Sequence, residues 1–168
     1  MYKRQGLGHR DAYAEEVGFV SGFPVGSDSD KAWLTHCYGM LGVARDTAPD
    51  SGNASGLYMV IGHSPRHLDR NVTLVGRALV GMEYLAALPR GTGPLGFYTE
   101  ESAQLKIDSI VAVSDLLVSA QEWEVLRTDS ATFTEYIRAR ANRTEDWFVT
   151  SGGRIELCNA MPPVRRVE

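Results

Sequence analysis

Only two cysteines, Cys37 and Cys158, occur in 168 residues. Neither belongs to a C-x-x-C pair or to a Cys/His ligand spacing, which argues against a zinc site. A disulfide between them has no support in the pattern, and both read as small, semi-buried apolar residues. No apolar run is long enough to cross a bilayer. Excess positive charge is lacking as well. The chain has 17 Lys and Arg against 21 Asp and Glu, a net charge of -4, so no broad positive field exists for a phosphate backbone and nucleic acid is a poor partner. Internal repeats and low-complexity segments are absent.

What is present suits a folded domain. The apolar content of 43% in 168 residues is enough for one domain with a proper core, or one domain plus an appendage. The richest stretch runs from Gly39 to Met82. Met40 to Ala44 and Leu57 to Ile61 are apolar runs and Val72 to Val75 mixes β-branched residues with Leu. The spacers carry Asp, Asn, Gly, Ser and Pro, which predicts short strands joined by turns. Val80, Tyr84, Leu85 and Leu88 share one face of a helix that Pro89 stops.

Outside this stretch the pattern is looser. Gly6 to Asp30, rich in Gly, Asp and Ser, reads as an extended, loop-dominated segment, followed by a turn at His36-Cys37-Tyr38-Gly39. Lys106 to Val113 reads as a strand from its β-branched content. Trp123, Leu126, Phe133, Ile137 and Arg140 predict two short helices, the second started by Ser130 or by the capping-box spacing Thr132-x-x-Glu135. Trp147 to Thr150 and Arg154 to Cys158, around Ser151-Gly152-Gly153, predict a hairpin, and Pro162-Pro163 begins an exposed tail. Met1-Tyr2-Lys3-Arg4-Gln5 reads as the translation of a transposon-end adapter used in sequencing libraries. The expectation is therefore a reading frame cut at its front, with any signal peptide lost there.

Several chemical readings fall to simpler ones. His63 and His67 have the spacing of a helical metal pair, but Pro65 lies between them in a loop-like context. Asp50, Ser51, Gly52 and Asn53 lack the EF-hand spacing and its distant Glu, and read as turn residues. Cys37 next to His36 suggests a thiol nucleophile, yet neighbours in a strand point to opposite faces. Arg138, Arg140 and Arg143, with Glu135, Glu145 and Asp146 nearby, read as a solvated helix face.

In combination, Val43-Ala44-Arg45, Asp50-Ser51-Gly52, His67-Leu68-Asp69, Gly76-Arg77 and Gly81-Met82 resemble the heart of the cyclophilin family of peptidyl-prolyl isomerases. There the order is approximately G-x-[VIL]-[SG]-[MV]-A-[RN], D/N and S/G residues, an S-Q-F-F-I-like strand, an H/W-L-D loop, a V-F-G-[RK]-V strand and an E-G-M helix start. The resemblance implies a mainly β fold: a cyclophilin-like antiparallel barrel without its first strands and first helix, over residues 6–114. A small α/β extension follows over 115–168, after an adapter-derived 1–5.

It further implies an enzyme that speeds rotation about X-Pro bonds in peptides or unfolded polypeptides, with no cofactor and no metal. Carried over by position, the substrate-binding residues are Val43, Ala44, Arg45, Gly56, Tyr58, His67 and Leu68. Gly56 replaces the strand glutamine, Tyr58 the pocket phenylalanine, and Val72 a loop histidine. The catalytic arginine belongs to an F-H-R-V-x-x-x-F-x-x-Q-G-G-D-like motif that is not present. His9-Arg10 is followed by the wrong residues to substitute for it, so no catalytic residue is assigned and the arginine is expected upstream. The alternative is a cyclophilin-like module that binds peptide with little or no catalysis. Exported members of the family point to the periplasm, and no oligomeric state follows from the resemblance.

Overall fold

The structure, a computed structural model, describes residues 5–116 and 123–167. The adapter-like residues 1–4 lie outside them. The fold is mainly β, as the resemblance implies. A four-stranded antiparallel sheet, in the order β1-β2-β3-β4, comprises β1 (Gln5–Gly6), β2 (Glu16–Val20), β3 (Phe23–Ser27) and β4 (Ala32–Leu34). A three-stranded antiparallel sheet has β5 (Met40–Val43) between β6 (Leu57–Met59) and β7 (Leu74–Arg77). The helix α1 (Met82–Ala87) follows, and then β8 (Trp123–Val125), α2 (Ala131–Ala141) and β9 (Val164–Arg166), with β8 and β9 paired. No helix among the described residues is long and apolar enough to cross a membrane.

The expectation of a loop-dominated Gly6 to Asp30 is corrected. Ser21 and Gly22 both take positive φ, 48° and 84°, and join β2 to β3 with Val20 opposite Phe23. Two consecutive positive-φ residues make the tight turn whose twist suits a hairpin. Gly18 and Gly26 interrupt the apolar alternation, which hides the strands, but Gly26 is where the Trp33 indole of β4 packs against the backbone.

Four further expectations change. Residues 104–112 form no strand and pair with none of the described strands, and Leu105, Ile107 and Ile110 stand exposed; β-branched composition makes no strand without an edge to pair with. Trp123, Glu124 and Val125 form a strand and not a helix, since their alternation has period two and Glu124 pairs with Arg165 of β9 at 2.6 Å. The segment 162–167 is accordingly no free tail: Pro162 is buried and Val164 starts β9. No hairpin forms around Gly152; Trp147 and Val149 face solvent, while Ile155 and Leu157 turn inward. The helix α2 agrees with its reading, with Ser130 Oγ accepting from the Phe133 N–H at 3.1 Å as an N-cap. The helix α1 forms as well, though its Tyr84 is 74% exposed.

One core serves both sheets and α2. Phe19 of β2 and Phe133 of α2 are fully buried and meet edge to face at 5.2 Å between centroids, an arrangement that suits the ring quadrupoles. Met40, Leu74, Leu157 and Ala160 belong to the same cluster. Cys37, just before β5, forms a disulfide with Cys158, which corrects the reading of two separate apolar cysteines. The bond closes a loop of 121 residues in sequence separation, too long for any local spacing to signal.

Candidate functional site

Gly42 and Tyr58 are cross-strand partners on β5 and β6. The Tyr58 ring lies across Gly42 so closely that a Cβ at position 42 would overlap it. The absence of a side chain at Gly42 thus determines where the ring rests. Its hydroxyl reaches inward to His36 Nε2 at 2.6 Å, and the two ring planes are nearly parallel, 2° apart.

His36 is fully buried. Its backbone N–H and its Nδ1 both approach Asp69 Oδ1 at 2.9 Å. Arg66 Nε donates to Asp69 Oδ2 at 2.5 Å, and the Arg66 fork continues to Asp11 at 2.9 and 3.1 Å. Tyr13 covers the guanidinium at 5.3 Å. Five side chains therefore run in one connected series from Asp11 through Arg66, Asp69 and His36 to Tyr58.

The donors in this series follow from chemistry. A carboxylate only accepts, so Nδ1 of His36 carries the proton given to Asp69. With that single ring proton on Nδ1, the bare Nε2 accepts from the Tyr58 O–H. Burial raises the Tyr58 pKa, and the nearby Asp69 charge raises it further, so the phenol keeps its proton. For Arg66, burial acts against the charge, but the hydrogen bonds to Asp69 and Asp11 outweigh it and raise the pKa.

The seven residues expected to bind substrate occupy one region but differ in availability. Val43 pairs with Leu57, and the Ala44 N–H donates to the Gly56 carbonyl at 2.8 Å. A Cβ on Gly56 would stand 3.2 Å from that of Ala44, so a glycine lets these two strands close. The Arg45 side chain folds back to donate to the carbonyls of Asn71, Asp46 and Thr47 at 2.9, 2.7 and 3.1 Å. His67 is exposed and Leu68 half-buried on the 3-10 turn Arg66–Leu68. Neither Tyr58 nor Leu68 lines the hollow around Gly22 and Thr128 or the one around His9 and Val17. What links the two is the series itself: Asp69, the neighbour of Leu68, holds His36, which holds Tyr58.

Residue-by-residue reading missed His36, Arg66 and Asp11 as parts of this site. In the sequence His36 stands out only as part of the His36-x-x-Gly39 turn and as the neighbour of Cys37, and Asp69 only as a letter of the His67-Leu68-Asp69 motif. The available signal was the co-occurrence of a histidine before β5 and an aspartate in the turn before β7, two segments that flank one sheet. The His9-Arg10 pair has another use: His9 Nε2 donates to the Ile155 carbonyl at 2.7 Å and ties the start of the chain to the carboxyl-terminal segment.

The antiparallel fold is that of the cyclophilins. The family model described as "Cyclophilin type peptidyl-prolyl cis-trans isomerase/CLD" matches residues 3–111, and the chain belongs to that family of enzymes. A similar solved structure is that of the cyclophilin AquaCyp293 from Hirschia baltica, with a TM-score of 0.63 and 22% identity. The match covers 98% of this chain and 60% of that one, so the chain spans about three fifths of its relative's length. No curated protein matches the chain.

Proposed function

We propose that this protein accelerates cis–trans rotation about X-Pro bonds in peptides or unfolded polypeptides, holding the substrate on the face formed by residues 43–45, 56–58 and 67–68. One observation carries the reading: an aromatic ring of half-buried Tyr58 is fixed on the sheet and connected through His36 to the turn that presents Leu68. Rotation breaks amide resonance against a barrier of about 18–20 kcal/mol, so a catalyst must bind the twisted amide better than either planar form. In the twisted amide the prolyl nitrogen regains its lone pair and the carbonyl loses charge separation. An apolar surface for the prolyl ring, with a donor aimed at that nitrogen, favours this state.

A second reading has its own support. Arg45, Arg66 and Arg77 all spend guanidinium N–H groups on internal acceptors, the last on the carbonyls of Gly22 and Pro162 at 2.9 and 3.2 Å. A protein whose nearby guanidinium groups are engaged in this way would bind proline segments and catalyse weakly. The test is an isomerisation assay on a cis-enriched X-Pro peptide, alongside its binding, for wild type and Leu68→Ala/Tyr58→Ala. A rate above the uncatalysed one that the double variant lowers supports the isomerase. Binding without a rate supports the second reading, and absence of both overturns the peptide face. The Cys37–Cys158 bond supports an oxidising compartment such as the periplasm.

A further inference from the structure

We propose that His36 is a positioning residue of the peptide face, which holds the Tyr58 ring and the turn carrying Leu68 at one fixed spacing. This inference rests on the peptide-binding reading above and identifies the interior group that supports it. His36 is 0% exposed, and its backbone N–H and both ring nitrogens are engaged toward the site: the N–H and Nδ1 to Asp69, and Nε2 to Tyr58. The other oxygen of Asp69 is held by Arg66, which Asp11 grips with two bonds. The acceptor offered to Tyr58 is therefore itself immobilised from behind by two carboxylates and a guanidinium, all with side chains under 10% exposed.

Burial demands a partner for each ring nitrogen, and here the two partners come from different segments, Asp69 from the turn after Leu68 and Tyr58 from β6, so the histidine ties those segments together. A tyrosine ring without such a bond samples the other staggered χ1 wells that its backbone allows. Holding one of them before substrate arrives removes an ordering cost from binding. The hydroxyl direction follows too: because Tyr58 donates inward, its one O–H is spent on His36 and is not free to donate to a peptide. Networks of this kind act as a unit, so removing either end should release the other.

The experiment uses His36→Asn, Tyr58→Phe and their double variant. An asparagine amide replaces Nδ1 and keeps the Asp69 bond while losing the Tyr58 bond; phenylalanine keeps the ring and loses the same bond from the other side. Each single variant should weaken binding of a proline-containing peptide roughly three- to tenfold, the worth of one lost hydrogen bond, and the double variant should lose no more than the worse single one. Where turnover is measurable, KM should rise while kcat holds. Wild-type affinity in Tyr58→Phe, or losses that multiply in the double variant, would overturn the proposal.

Nitrogen NMR of the wild-type imidazole provides a separate reading should His36→Asn not fold. Nδ1 should be protonated and Nε2 a bare acceptor, and the reverse tautomer overturns the proposal. If the wild type binds no proline peptide, the function proposed above falls, and the imidazole spectrum with the Tyr58→Phe spectrum alone decides whether the ring is clamped.

Discussion

Tyr58 rests flat across Gly42, its partner on the adjacent strand, and any side chain at position 42 would occupy the place of the ring. Gly42→Ala is therefore expected to push the ring off the strand and stretch or break its bond to His36. Overpacking of this kind costs roughly 1–3 kcal/mol. The denaturant midpoint should fall accordingly, and the Tyr58 ring resonances should shift far more than those of Tyr136 on α2. Unmoved Tyr58 resonances would show that the sheet accommodates the methyl elsewhere.

Arg66 stands between two carboxylates in a nearly dry setting, its side chain 8% exposed against 5% for Asp11 and 3% for Asp69. Removing the cation leaves both anions buried and uncompensated. Arg66→Met is expected to destabilise the fold by about 3–5 kcal/mol, the usual cost of breaking a buried pair from one side. Replacing Asp11 along with Arg66 by apolar residues should cost less than the single change, because one buried anion fewer is left without its cation while Asp69 stays to accept the two His36 bonds. Equilibrium unfolding of the single and double variants measures both.

The central strands were legible because their residues obey local rules. Met40 to Val43 and Leu57 to Met59 alternate with turn formers at the expected distances, and Ser130 precedes the apolar positions of α2 as a cap should. The β2–β3 hairpin escaped notice because Gly18, Pro24 and Gly26 dilute the strand signal, although Ser21-Gly22 is a turn pair. The site was half legible: Tyr58 and Leu68 follow from motif position, whereas His36 and Asp11 matter only through contacts 33 and 55 residues away in sequence. No window of local pattern spans such distances, and the same is true of Cys37 and Cys158.

That disulfide joins the start of β5 to the segment following α2. Cross-linking residues 121 apart restricts the unfolded chain strongly, and loss of such a bond typically costs about 2–5 kcal/mol. Cys37→Ser/Cys158→Ser, or reduction of the wild type, should lower the unfolding midpoint by a matching amount. Because Phe133 and Leu157 share a core with Phe19, the packed state should survive reduction under mild conditions, with near-ultraviolet circular dichroism retained. Collapse of that signal on reduction would mean that the bond, and not the shared core, holds α2 in place.

Tyr58 provides a pH test with a definite sign. Burial, and then the Asp69 charge, raise its pKa above the ordinary tyrosine value near 10. The folded state thus holds the phenolic proton more tightly than the unfolded chain does. The stability this contributes is fully present below pH ~10 and is lost as pH rises through the folded value. Tyr58→Phe has no proton to lose, so the stability difference between wild type and variant should be constant from pH 8 to about 9.5 and then shrink in alkali. The check is the denaturant midpoint of both proteins across that range, with phenolate absorbance followed in parallel. A difference that stays flat above pH ~10.5 would mean that Tyr58 ionises as freely as a tyrosine in water, which an O–H donated to a buried histidine does not permit.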